Sequence, residues 1–136
     1  MDAEAEQLIR DGRGLLGLER DEVLARLGGA CARSSYGRRD DLEVVVAPPY
    51  RVYLADGVAA LVYRAEPAVA PGALRLGYPD ALSLPSRAGR EFEHHVDPSA
   101  GVAWSDDRAH VAFVEWFAPN DLASYQAAWW TPPQFR

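Results

Sequence analysis

The strongest constraint on this chain is a hairpin signal near its centre. Asp56-Gly57 stands between two runs, 50–55 and 58–64, that are rich in Val, Tyr and Leu. A two-residue Asp-Gly connection joins antiparallel strands, because it supplies the backbone angles that match their twist. In the first run Tyr50, Val52 and Leu54 share a face; in the second, Leu61 and Tyr63 share one and Val58, Ala60 and Val62 the other. Both faces of the second run are apolar, which predicts a central strand. Residues 42–47, a β-branched run closed by Pro48-Pro49, supply another strand beside it.

Helix signals flank this core. Residues 3–10 read as a short helix and 19–28 as a firmer one. Glu19, Asp21 and Glu22 load the first turn of the second with negative charge, favourable at the positive end of the helix dipole. Val23, Leu24 and Leu27 form its apolar stripe, and Gly28-Gly29 its stop. Residues 65–89 are punctuated by proline and glycine and read as a long irregular connection, with a short strand at Ala73 to Leu76. Three more strands are expected at 90–96, 101–105 and 109–117. A last helix at 121–129 is capped by Asn120 or Asp121 and stopped by Pro132-Pro133. The expectation is an α+β chain forming a single domain over 1–136: an antiparallel sheet of about six strands, an N-terminal helix pair and a C-terminal helix.

Residues 14–28, Gly-Leu-Leu-Gly-Leu-Glu-Arg-Asp-Glu-Val-Leu-Ala-Arg-Leu-Gly, carry a resemblance. They resemble the helix of the small barrel-assembly lipoprotein family and of many small α+β bacterial proteins. In that family the helix precedes a three-stranded antiparallel sheet, the place taken here by 42–47, 50–55 and 58–64. The resemblance implies a protein-binding scaffold. The general form is also similar to that of small acidic immunity partners of toxins.

Composition narrows the chemistry. All 14 basic residues are arginine, which removes lysine Schiff-base chemistry and the P-loop lysine. A formal net charge of -6 argues against binding a phosphate backbone. Cys31 is the only cysteine, so no internal disulfide or cysteine-based metal cluster can form. No apolar run approaches the ~18 residues of a membrane span, and the acidic start Met-Asp-Ala-Glu-Ala-Glu is unlike a secretory signal. The expectation is a cytoplasmic protein that binds neither nucleic acid nor membrane and needs no cofactor. Gly12-Arg13-Gly14-Leu15-Leu16-Gly17 matches G-x-G-x-x-G, but a dinucleotide site needs a strand before it, and acidic, helix-like residues precede it here.

The most informative pattern is a gradient. Residues 91–136 hold seven acidic and two basic residues, together with Trp104, Trp116, Trp129 and Trp130. Aromatic anchors among carboxylates suit a surface that docks a basic protein partner. The residues expected to carry it are Trp104, Asp106, Asp107, Glu115, Trp116, Trp129 and Trp130. A toxin-immunity-type inhibitor is one form of that function, and catalysis is not expected. The first alternative is a small metal-assisted hydrolase using His95, Asp97 and His110. These converge only if strand 109–117 pairs directly with strand 90–96. The second is a homodimeric structural domain closed by Trp129 and Trp130.

Overall fold

The computed structural model describes residues 2–133. The Asp56-Gly57 hairpin forms as expected, between β3 (Tyr50–Ala55) and β4 (Val58–Ala65). Ahead of it come α1 (Ala3–Arg13), α2 (Arg20–Leu27), β1 (Ala30–Tyr36) and β2 (Arg39–Ala47). After it come α3 (Pro71–Gly77), β5 (Leu82–Pro85), β6 (Glu93–Asp97), β7 (Val102–Asp106), β8 (Val111–Phe117) and α4 (Leu122–Trp129). All the strands belong to one antiparallel sheet in the order β1-β2-β3-β4-β8-β7-β6-β5. Each half of the chain makes a four-stranded meander, and the two join where β4 pairs with β8, Val62 opposite Trp116. The apolar second run of the hairpin therefore lies in the middle of the sheet.

The sheet has eight strands, not about six. Neither β1 nor β5 carries a hydrophobic signal. Residues 30–36 are Ala-Cys-Ala-Arg-Ser-Ser-Tyr, and β5 has only four residues. Both are edge strands, where backbone pairing on one side suffices and neither face must be fully buried. The stretch expected as a strand at Ala73 to Leu76 is instead α3. Pro71 opens that helix, its fixed φ already helical and its missing N–H not needed there, and Ala73 and Leu74 turn inward.

Helix placement makes the two sheet faces unequal. Asp2 caps α1, accepting from the Ala5 amide at 2.8 Å, and Glu19 and Glu22 cap α2 reciprocally. Helices α1, α2 and α3 cover one face. There Leu8, Ile9, Val23 and Leu74 pack with Val45, Val52, Val62, Trp104 and Trp116 in the main core. Helix α4 alone packs on the other face, over Val96, Ala103 and Phe117. The helices are therefore distributed three to one between the faces rather than grouped near the sheet's two ends. Among the described residues, no helix is long and apolar enough to cross a membrane.

The G-x-G-x-x-G segment has a packing explanation. Its first glycine, Gly12, lies inside α1 and against the indole of Trp116, where an added Cβ would come within 2.4 Å of three ring atoms. Trp116 is fully buried and has no room to retreat. Overpacking of this kind costs about 1–3 kcal/mol. Gly12→Ala is expected to lower stability by that order despite alanine's better helix propensity. Gly72→Ala, in α3 with nothing within 4 Å, is expected to raise it by up to about 1 kcal/mol. Urea midpoints of the two variants check this; a Gly12→Ala midpoint at or above that of the parent would contradict the packing.

Candidate functional site

Glu115 is the least expected residue in the sheet. It lies on central strand β8 opposite Tyr63, and it is 1% exposed. Its side chain points to the α4 face. Its Oε2 accepts a short hydrogen bond from the Tyr36 hydroxyl, and its Oε1 accepts from the Tyr125 hydroxyl at 2.8 Å. Tyr36 ends edge strand β1 and Tyr125 is the inward-facing residue of α4. The carboxylate therefore ties three separate elements together.

The bonds continue in one direction. When Glu115 is ionised the Tyr125 proton goes to it, and the Tyr125 oxygen then accepts from His94 Nε2, 2.6 Å away. A neutral His94 with its proton on Nε2 must then accept at Nδ1, where Ser105 Oγ lies at 2.8 Å. Ser105 in turn accepts from Ser86 at 2.8 Å, and Ser86 accepts from the Ala88 amide at 3.1 Å. Every donor in this chain points towards Glu115. Burial drives His94 down to about 3, so the ring is neutral, and it pushes Glu115 up to about 7 against the pull of its two tyrosine partners. The Tyr36 and Tyr125 hydroxyls are raised for the same reason and by the nearby carboxylate. Both Glu115 oxygens already carry a phenol, and the residue is 1% exposed. The network ties β1, β6, β7, β8 and α4 together beneath this face.

What it fixes is a trough. The two ends of the network, Ala88 and Tyr36, both line a cavity of about 450 Å³ on the half of this face that α4 leaves open. Tyr53, Tyr63 and Phe113 form its aromatic wall, with Tyr63 stacked on Phe113 at 5.1 Å. Arg51 and Arg87, both exposed, line it as well. A small recess of about 20 Å³ is lined by Tyr36 and Phe113, by Glu115, His94 and Tyr125 of the network, and by Trp129 and Trp130. A more apolar cavity of about 570 Å³, lined by Glu66, Pro67, Val69, Phe92, His110 and Val111, shares Ala112 with the first.

The β1–β2 turn holds α4 beside this trough. Gly37, with φ +60°, sits where a Cβ would come within 2.5 Å of the Trp129 backbone. The Arg38 amide donates to the Ala128 carbonyl at 3.1 Å and its Nε to the Trp130 carbonyl at 3.2 Å. These bonds satisfy carbonyls that the helix end leaves without partners. Arg39 lies over the Trp129 ring at 5.5 Å. The turn carrying Arg38 and Arg39 is a clasp on the helix.

The structure separates the residues expected to dock a partner. Trp104, Trp116, Asp106 and Glu115 are each at most 1% exposed, so they present no surface, and their place in a docking face is corrected. Trp104 and Trp116 fill the core on the helix-covered face. Asp106 is a buried node: Oδ1 accepts from Arg75 at 3.1 Å and from the Arg108 amide at 3.0 Å, and Oδ2 accepts from the Trp104 indole at 2.9 Å. Asp107 remains at the surface, where its Oδ1 accepts from the Ala109 and His110 amides. Trp129 and Trp130 are half-buried; the Trp130 indole donates to the Pro85 carbonyl at 3.3 Å and Trp129 packs by Tyr36.

The alternative metal set does not assemble. Strand β7 lies between β6 and β8, so the direct pairing that His95, Asp97 and His110 would need is absent. His95 stacks on Trp104 beside Asp106, Asp97 accepts from Ser99 in the β6–β7 turn, and His110 is exposed beside Asp107. Among the described residues no three His, Cys, Asp or Glu side chains converge as a metal would require. Cys31 is half-buried on β1, with its thiol 3.5 Å from Glu43; burial raises its pKa, opposite to what a nucleophile needs. The trough itself escapes sequence reading because its lining comes from four strands, the β1–β2 turn and the segment after β5. The one available signal was the run of aromatic residues at Tyr36, Tyr53, Tyr63 and Phe113.

No protein-family model, curated protein or solved structure matches this chain.

The buried pair predicts a specific pH profile. Between about pH 4.5 and 7 the unfolded chain releases the Glu115 proton while the folded chain keeps it, so stability falls as pH rises. His94 acts oppositely: between about pH 3 and 6.5 the unfolded ring binds a proton that the folded one refuses, so stability rises. In the parent the two slopes offset each other. In Glu115→Gln only the His94 slope remains. The stability of the variant relative to the parent is expected to improve by on the order of 3 kcal/mol from pH 4.5 to 7. Denaturant titrations at several pH values check this, and parallel profiles would contradict it.

Proposed function

We propose that this chain is a non-catalytic binding module that holds an extended segment of a protein partner in the trough beside α4. The observation that carries the reading is the trough's form: cavities of about 450 and 570 Å³ share Ala112 in their linings and so adjoin each other. Two adjoining open cavities suit a length of chain better than a compact small molecule. Its lining supports the same reading. Tyrosine and arginine are the residue types that dominate binding energy at protein interfaces, because they give large contact area and directed hydrogen bonds at low entropic cost. The hydrogen-bond network beneath ties the trough's walls, so less ordering is needed when a partner arrives.

The charge distribution favours a partner that is basic overall. Of the seven acidic residues after position 90, Asp106 and Glu115 are buried, and Glu91, Glu93, Asp97, Asp107 and Asp121 reach the surface in full or in part. Together with the net charge of -6 they attract a positively charged body over roughly a Debye length. Covering part of a partner in this way is how an immunity-type inhibitor acts.

Selection of a displayed random-peptide library against the whole chain tests the reading. Enriched peptides are expected to lose at least about tenfold in affinity for Tyr63→Ala or Phe113→Ala, the loss usual for a central aromatic contact. They are expected to bind Leu76→Ala unchanged, since that side chain is exposed on α3 at the opposite face. Binders indifferent to both trough substitutions would reject the reading.

A further inference from the structure

The trough is not uniform in charge. Arg51 reaches the 450 Å³ cavity from β3, and Arg87 reaches it from the segment after β5, at the far end of the strand order. Neither has a carboxylate within 4.0 Å among the described residues, where the ion pairs of Arg20, Arg39 and Arg75 are formed elsewhere. Shortage of acid does not explain this, since the chain has 20 acidic residues against 14 arginines. The nearby Glu115 is felt by Arg87, but both of its oxygens are taken by tyrosine hydroxyls beneath the floor. Arg51 lies over the Tyr63 ring at 5.8 Å. An arginine laid on an aromatic face keeps its planar fork oriented, and that fork matches a carboxylate in two parallel hydrogen bonds.

Next to this charged end, across Ala112, the second cavity is lined by Pro67, Val69, Phe92 and Val111. It offers mainly apolar contact, with Glu66 and His110 also in its lining, and no such pair of cations.

Building on the binding reading above, we infer that the trough selects a segment of a protein partner in which an acidic side chain seats at Arg51 and Arg87 while a neighbouring apolar side chain packs on Val69 and Phe92. A partner that is basic overall is compatible with one acidic anchor. Steering acts over the whole body at a distance, whereas the guanidinium pair acts at hydrogen-bond range.

The test uses the whole chain and three end-blocked pentapeptides, Ala-Leu-Xaa-Leu-Ala with Xaa as Glu, Gln or Lys, titrated by NMR. The Glu peptide is expected to shift the ring signals of Tyr63, Phe113 and Phe92 and to bind at least about tenfold more tightly than the Gln peptide, as charge-assisted hydrogen bonds predict. Arg51→Gln and Arg87→Gln, both at exposed positions, should each reduce that preference, and the double variant should abolish it. Equal binding of the Glu and Gln peptides overturns the inference, as does tightest binding of the Lys peptide or a preference that survives the double variant. Any of these results obtained with shifts in the trough leaves the binding module standing. Absence of trough shifts with all three peptides overturns the inference, and the library selection then decides the module separately. Free 3-phenylpropionate binding more tightly than the Glu peptide would reassign the site to a small anion and likewise overturn the inference.

Discussion

A carboxylate with no access to water must be held by hydrogen bonds, and Glu115 is the point at which this structure meets that requirement. Removing a charged group from water costs several kcal/mol unless it is paired or bonded. Two tyrosine hydroxyls bond it, and they come from elements far apart in sequence, the end of β1 and the middle of α4. Losing either would leave a buried oxygen short of a donor, so the strand end and the helix are both held against β8. His94, Ser105 and Ser86 extend the same bonds to the segment after β5. The network thus spans the sheet from β1 at one edge to the segment beyond β5 at the other.

That cross-tie matters because the two faces are closed so differently. Three helices bury one face and fill it with Trp104, Trp116 and a run of aliphatic side chains. One short helix covers part of the other. A sheet face left open exposes apolar area unless polar groups are interleaved with it. Here the interleaving groups are tyrosine hydroxyls and arginine stems, which cover ring surface while keeping a polar end wet. The trough is the product of that compromise: aromatic rings from Tyr53, Tyr63 and Phe113 beside the polar ends of Arg51 and Arg87.

Legibility followed the strength of local signals. The Asp56-Gly57 hairpin, the acidic start of α2 and the Asp121 cap of α4 could be read directly, because each satisfies its own backbone with neighbouring residues. The edge strands β1 and β5 could not, since their pairing energy comes from β2 and β6 and asks for no particular side chains. Residues 71–77 hold the same apolar content whether strand or helix; Pro71 and the packing of Leu74 on the core decide for helix. The arginines at 38 and 39 look solvated in sequence because the helix end they clasp is some ninety residues away.

From residues alone came the α+β class, the antiparallel hairpin at its centre and the central place of β4, all set by contacts within a few positions along the chain. The concentration of acid and indole after position 90 was also visible, but not its meaning. Alternation along a strand says which residues share a face, not which face three helices will cover. Only the joining of the two meanders at β4 and β8 sent Trp104 and Trp116 inward, enclosed Asp106 and Glu115, and left tyrosines and arginines from distant strands around an open trough. The reason is physical: burial depends on what packs against a side chain from elsewhere in the fold, and no local pattern specifies that.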